Sequence, residues 1–122
     1  MDHFYYKIDG WSDGIVELYA SFLSLNRDNP NDALRIVEVG SWLGRSAAFM
    51  CTEAIRRNIK IKFDCVDTWD GDGSHLHNLL IKQHNESLYE RFIDNMKPVE
   101  GHYTPIKSFL VISINSFSPC LI

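Results

Sequence analysis

The stretch Val37-Glu38-Val39-Gly40-Ser41-Trp42-Leu43-Gly44-Arg45-Ser46 decides how this chain is read. It opens in a β-branched run, Arg35 to Gly40, which reads as a strand. A glycine at the strand's end permits a sharp turn and a close approach of backbone to a ligand. Gly44 then lets the chain enter Arg45 to Asn58, a segment rich in Ala, Met, Glu and Arg with no Gly or Pro. That segment reads as a helix ending near Asn58, and its first N–H groups face the turn.

On the far side of this helix, Ile59 to Asp67 alternates apolar and polar residues up to Val66 and reads as a second strand. Thr68 to Ser74 is a loop carrying Asp70, Gly71, Asp72 and Gly73, and His75 to His84 is ambiguous. Ser87 to Lys97 is helical, with Leu88, Phe92 and Met96 in one row, and Pro98 stops it. His102 to Lys107 reads as a third strand, and Pro105 within it, unable to donate to a ladder, places that strand at a sheet edge. Upstream, Ile15, Leu18, Tyr19, Phe22 and Leu23 form one apolar face of a helix from Gly14 to Leu25, with Ser12 or Asp13 as its cap. Asn26 to Asn31 is a turn-rich loop. Helices alternating with strands predict an α/β fold with a parallel sheet and right-handed crossovers. Ligands of such sheets sit beyond the carboxyl ends of the strands. Here those ends carry Glu38-Val39-Gly40-Ser41 and Asp67-Thr68-Trp69.

At 122 residues the chain suits a single domain. Its 12 basic and 16 acidic residues leave a net charge of −4, which suits neither wrapping nor tracking a nucleic acid. No apolar run approaches the roughly 20 residues of a membrane span. Met1-Asp2-His3-Phe4-Tyr5 lacks the basic and apolar regions of a signal peptide. Cys51, Cys65 and Cys120 lie far apart with no CxxC, and read as reduced thiols in a cytoplasm. Asn85-Glu86-Ser87 matches a glycosylation acceptor, which without a secretion signal reads as chance.

Three nucleotide patterns compete for the glycine turn. A dinucleotide fingerprint needs three glycines, and only Gly40 and Gly44 are present. A P-loop needs glycine where Val39 stands and lysine where Arg45 stands. The pattern acid-x-Gly-x-x-x-Gly fits without exception, and Asp67 at the next strand end supplies an acid able to accept from both hydroxyls of a ribose.

Glu38 to Ser46 resembles motif I of class I S-adenosylmethionine-dependent methyltransferases. Gly10-Trp11, Val66-Asp67-Thr68-Trp69, Leu88-Tyr89-Glu90-Arg91-Phe92 and Asn95-Met96 look like the small-molecule branch, which includes sugar and macrolide O-methyltransferases. The resemblance runs from about Gly10 to about Ser108. It implies a Rossmann-like domain with an N-terminal helical cap over residues 1–30, a cofactor-binding βαβαβ core over 35–108 and an atypical apolar tail over 109–122. It implies S-adenosyl-L-methionine as cofactor and a small-molecule acceptor. Glu38 would face the methionine amino end, and Gly40, Ser41 and Gly44 would line methionine and ribose through their backbone. Asp67 would bind the ribose hydroxyls, Trp69 would pack on adenine and Trp42 would wall the cleft, with Ser46 and Thr68 completing the site.

Each residue also has a plainer reading. Glu38 fits a solvated strand edge, Gly40 and Gly44 simple turns, Asp67 a cap for its loop, and Trp42 and Trp69 the core. Trp11 reads as packing rather than ligand contact. Asp64, Asp67, Asp70 and Asp72 fail the EF-hand pattern, because alignment on Gly73 puts Thr68 and Leu79 at ligand positions. His75, His77 and His84 lack the partners of a zinc site and read as a loop over the cleft, and Ser-His-Asp catalysis has no nucleophile elbow.

The family's sheet has seven strands, with the motif I strand between strands two and four. This chain supplies three and reads as truncated after them, with no nameable catalytic base. The tail Ser108 to Ile122 carries neither acid nor base and follows the third strand with no evident crossover, so it is not expected to stand in for strand four. The first strand would then expose Ile36, Val37 and Val39 along an open edge, and the chain would self-associate there or through Phe109 to Ile114. An NAD-dependent oxidoreductase fragment and a non-catalytic interaction module are the alternative readings of the same residues.

Overall fold

The computed structural model describes residues 1–26, 32–70, 87–108 and 120–121. Its sheet is parallel throughout, in the order β3-β2-β1-β4, with β1 at Leu34–Val39, β2 at Ile61–Asp67, β3 at Thr104–Lys107 and β4 at Cys120–Leu121. The helices are α1 at Ile15–Leu25, α2 at Arg45–Arg56 and α3 at Leu88–Asn95. Single 3₁₀ turns occur at Tyr5–Lys7 and Lys97–Val99. Among the described residues no helix is long and apolar enough to cross a membrane.

β1 and β2 pair along their whole length, Leu34 against Ile61 through Val39 against Val66. This register brings the two strands' carboxyl ends side by side. Both are inner strands, with Ile36, Val37, Phe63, Cys65 and Val66 all buried. β3 is an edge, as Pro105 predicts, and pairs only with β2.

The tail departs from expectation. Cys120 and Leu121 form a short strand parallel to β1, opposite Ile36 and Val37. A parallel neighbour needs a connection of about a dozen residues, and the chain between Lys107 and Cys120 is that long. The expected open edge is corrected with it: Ile36 and Val37 are 1% and 4% exposed, and only Val39 stays open at 44%. The expected aggregation segment, Phe109 to Ile114, lies outside the described residues.

α1 packs on α2 through Tyr19 and Leu23, both fully buried. Its cap is Gly14, in a left-handed conformation, rather than the side chain of Ser12 or Asp13. The Ser12 hydroxyl is already held by Arg45 Nε at 3.0 Å, so the Ser12 carbonyl accepts from Ile15 and Val16 instead. α2 is buried over most of its surface, from Ala47 to Thr52 and again at Ala54. It ends as its sequence predicts, two residues before Asn58, which takes a positive φ of 54°.

α3 starts on a capping serine: the Ser87 hydroxyl accepts from the Glu90 N–H at 3.0 Å. Phe92 and Met96, both at 0% exposure, carry its core face into the same apolar cluster as α1, α2 and the sheet. Ser87→Ala should cost about 1 kcal/mol of stability, the usual worth of such a cap. Urea unfolding checks this, and a loss below a few tenths would mean that the cap contributes nothing.

Candidate functional site

At the end of β1 the chain must leave the sheet within two residues. Gly40 does this at φ 86°, with its N–H on the Val66 carbonyl at 2.7 Å. Ser41 and Gly44 close the turn through a 2.9 Å backbone bond, and α2 begins at Arg45. At the end of β2, Asp67 reaches across to this turn. Its Oδ2 accepts from the Trp42 N–H and its Oδ1 from the Trp69 N–H, each at 2.8 Å. Trp69 Nε1 in turn donates to the Trp42 carbonyl at 2.6 Å. Asn95 of α3 secures the next residue by donating to the Leu43 carbonyl at 3.0 Å. Trp42 and Trp69 are held at φ 48° and 53°, a conformation that bulky residues adopt only where surrounding bonds impose it.

These loops border a cleft of about 450 Å³, within the size range of small-molecule sites. Gly40, Ser41, Trp42 and Leu43 form one side with Arg45 and Ser46, and Asp67 and Thr68 form another. The third side comes from the N-terminal segment, as Gly10, Trp11 and Ile15. Arg45 ties that segment down. Its guanidinium donates to the Ile8 carbonyl at 2.8 Å, the Tyr6 carbonyl at 3.3 Å and the Ser12 hydroxyl, and lies over the Tyr5 ring. A second cavity, of about 460 Å³, lies near the start of β2 and the end of α2, lined largely by apolar residues with Lys60 and His102. The first is the better candidate because it lies at the carboxyl ends of β1 and β2 and several polar groups converge on it.

Six of the nine sequence-predicted site residues line this cleft: Gly40, Ser41, Trp42, Ser46, Asp67 and Thr68. Three do not. Gly44 faces the core, where a Cβ would lie 3.1 Å from the Met96 side chain. Trp69 is 4% exposed and packs between Tyr89 and Phe92, with ring centroids 5.0 and 4.9 Å away. Its expected contact with adenine is therefore replaced by a core role, because the Asp67 and Trp42 bonds fold the loop inward. Glu38 is 3% exposed and sits beneath the turn, which excludes the solvated-edge reading. Ser46, at the cleft wall, donates to its Oε2 at 2.9 Å, and the Tyr19 phenol donates to the same oxygen. Burial pushes the Glu38 carboxyl up from the ordinary range, against the bonds from Tyr19 and Ser46.

Trp11 packs, as its sequence reading expects: it stacks on Trp42 with centroids 5.0 Å apart, yet it is 67% exposed and lines the cleft as an aromatic wall. Cys51 and Cys65 are free and buried, and burial raises both thiols, so neither is a nucleophile. Asp72, His75, His77 and His84 lie outside the described residues. No protein-family model matches the chain, and a search of curated proteins finds no relative.

Proposed function

We propose that this chain binds S-adenosyl-L-methionine in the manner of a class I, Rossmann-like methyltransferase acting on a small-molecule acceptor. The observation that carries this reading is the pairing of Asp67 with the Gly40-Ser41-Trp42 turn across one cleft at adjacent strand ends. The strand order β3-β2-β1-β4 supports it, since the resembled family places its motif I strand between strands two and four.

The residues present fit such a ligand on three counts. Glu38 Oε1 is buried with no partner among the described residues, and an ammonium group would satisfy it. Gly40 has open space where a side chain would stand, so a ligand can approach its backbone. Each Asp67 oxygen already accepts one N–H, and a carboxylate oxygen can accept a second donor, such as a ribose hydroxyl. The cleft needs no cation for such a ligand, and Arg45 spends its donors on the N-terminal segment.

When bound, this cofactor supplies a methyl group on a sulfonium. The protein's part is then to align an acceptor with that methyl, which is a positioning task. Trp11, Trp42 and Ile15 offer the apolar surface against which an acceptor would lie.

Calorimetric titration with S-adenosylhomocysteine tests the reading, and absence of heat at millimolar ligand with folded protein would overturn it. Asp67→Ala should weaken binding by about 1–3 kcal/mol through the lost ribose bonds. NAD in the same thermal-shift assay separates the oxidoreductase alternative, since only the true ligand raises the melting temperature.

A further inference from the structure

Glu38 Oε2 is the meeting point of two elements: Tyr19 reaches it from α1 and Ser46 from α2. Both donors converge on this oxygen, and Oε1 is left buried without a partner among the described residues. Tyr19 is itself fully buried, and its helix begins at Ile15, which lines the cleft together with Gly10 and Trp11. The phenol thus links the segment that walls the cleft to the acid beneath its floor. Burial and the neighbouring Glu38 charge both push the Tyr19 phenol up, so it stays a proton donor. The other ionisable groups around Glu38 are Asp67 and Cys65 of β2 and Cys51 of α2. Among the described residues, none of these three hydrogen-bonds its carboxylate.

We propose that Tyr19 is the positioning residue for Glu38, fixing one carboxylate oxygen so that the other is held for an ammonium ligand. The geometry of one phenol on a cleft-walling helix carries this step. A glutamate carboxylate turns on three side-chain bonds, and a single hydroxyl from Ser46 fixes only one direction. Tyr19 supplies the second, from the opposite element. The ligand half of the proposal rests on the cofactor reading above.

Two measurements on the Tyr19→Phe variant test it, a change that keeps the ring and its packing. The first compares binding of S-adenosylhomocysteine, which carries the ammonium, with methylthioadenosine, which lacks it. Loss of a bond to a charged group should weaken the former about tenfold and leave the latter within about twofold. The second follows the Glu38 side-chain carboxyl by carbon NMR across pH in the ligand-free protein. Removing a bond that favours the carboxylate should move its midpoint to higher pH. Equal weakening of both probes would mean that Tyr19 only packs, and would overturn the proposal. A Glu38 midpoint unchanged by the variant would overturn it as well, whatever the probes do. If neither probe binds the unaltered chain, the cofactor reading falls and takes the ligand half with it, while the midpoint still decides whether Tyr19 holds the carboxylate.

Discussion

Gly44→Ala is expected to lower the unfolding free energy by about 2–5 kcal/mol, from backbone strain and overpacking together. Gly44 stands at φ 96°, where a side chain is strained whatever the space around it. The space is also taken: the new Cβ would lie 3.1 Å from Met96 Cγ and Sδ and 3.2 Å from Phe92 Cδ2. Both neighbours are at 0% exposure, so neither can swing into solvent, and the start of α2 would have to move away from α3. Gly40→Ala is the control. It shares a positive φ of 86° but meets nothing within 4 Å, so it should carry the strain alone, about 1–3 kcal/mol. Urea unfolding of both variants gives the comparison, with an unchanged slope showing that stability itself moved. Equal losses would show that the Gly44–Met96 packing is not what the geometry implies.

The same pair of glycines shows what a sequence can and cannot tell. The strand-turn-helix reading rests on local chemistry: β-branched residues up to Val39, glycine where the chain turns, helix formers after it. Those features dictate β1, the turn and α2 directly, and likewise the edge position of β3 through Pro105. Which glycine lines the cleft and which faces the core depends on what α3 brings against the turn, and nothing near Gly44 in the sequence encodes Met96 and Phe92. The places of Trp69 and Trp11 are hidden for the same reason. Trp69 lies next to the acid of the site, yet the bonds from Asp67 and to the Trp42 carbonyl turn its ring inward. Trp11 lies in an irregular segment, and only the folding of that segment over Trp42 brings it to the cleft. The role of Arg45 was hidden likewise, because its acceptors are carbonyls of Tyr6 and Ile8, which have no side-chain signature. The fourth strand was missed because two paired residues, Cys120 and Leu121, are too few to show a period.

Glu38→Gln should change how stability depends on pH, by about 1.4 kcal/mol for each pH unit of a defined window. Burial raises the Glu38 carboxyl above its ordinary value of 4.5, and the bonds from Tyr19 and Ser46 only partly oppose this. A raised carboxyl means that the folded chain keeps its proton at pH values where the unfolded chain has released it. Below about 4.5 both states are protonated and the contribution is fully present. As pH climbs from there to the folded-state midpoint, the unfolded state binds fewer protons and stability falls. Above that midpoint both states are ionised and the loss is complete. Glutamine does not titrate, so the variant lacks this fall. The unaltered chain should therefore lose stability relative to the variant as the pH rises through the window. Glu53 works in the opposite direction. Burial alone would raise it, but bonds from His3 and Arg57 outweigh burial and hold it low, so the stability it gives is lost as pH falls. That contribution is common to both proteins and cancels in their difference, which isolates Glu38. Chemical unfolding from about pH 4 to pH 8 gives both curves. Parallel curves across that range would show that Glu38 titrates alike in the folded and unfolded chain, and that the acid beneath the glycine turn is not under the strain of burial.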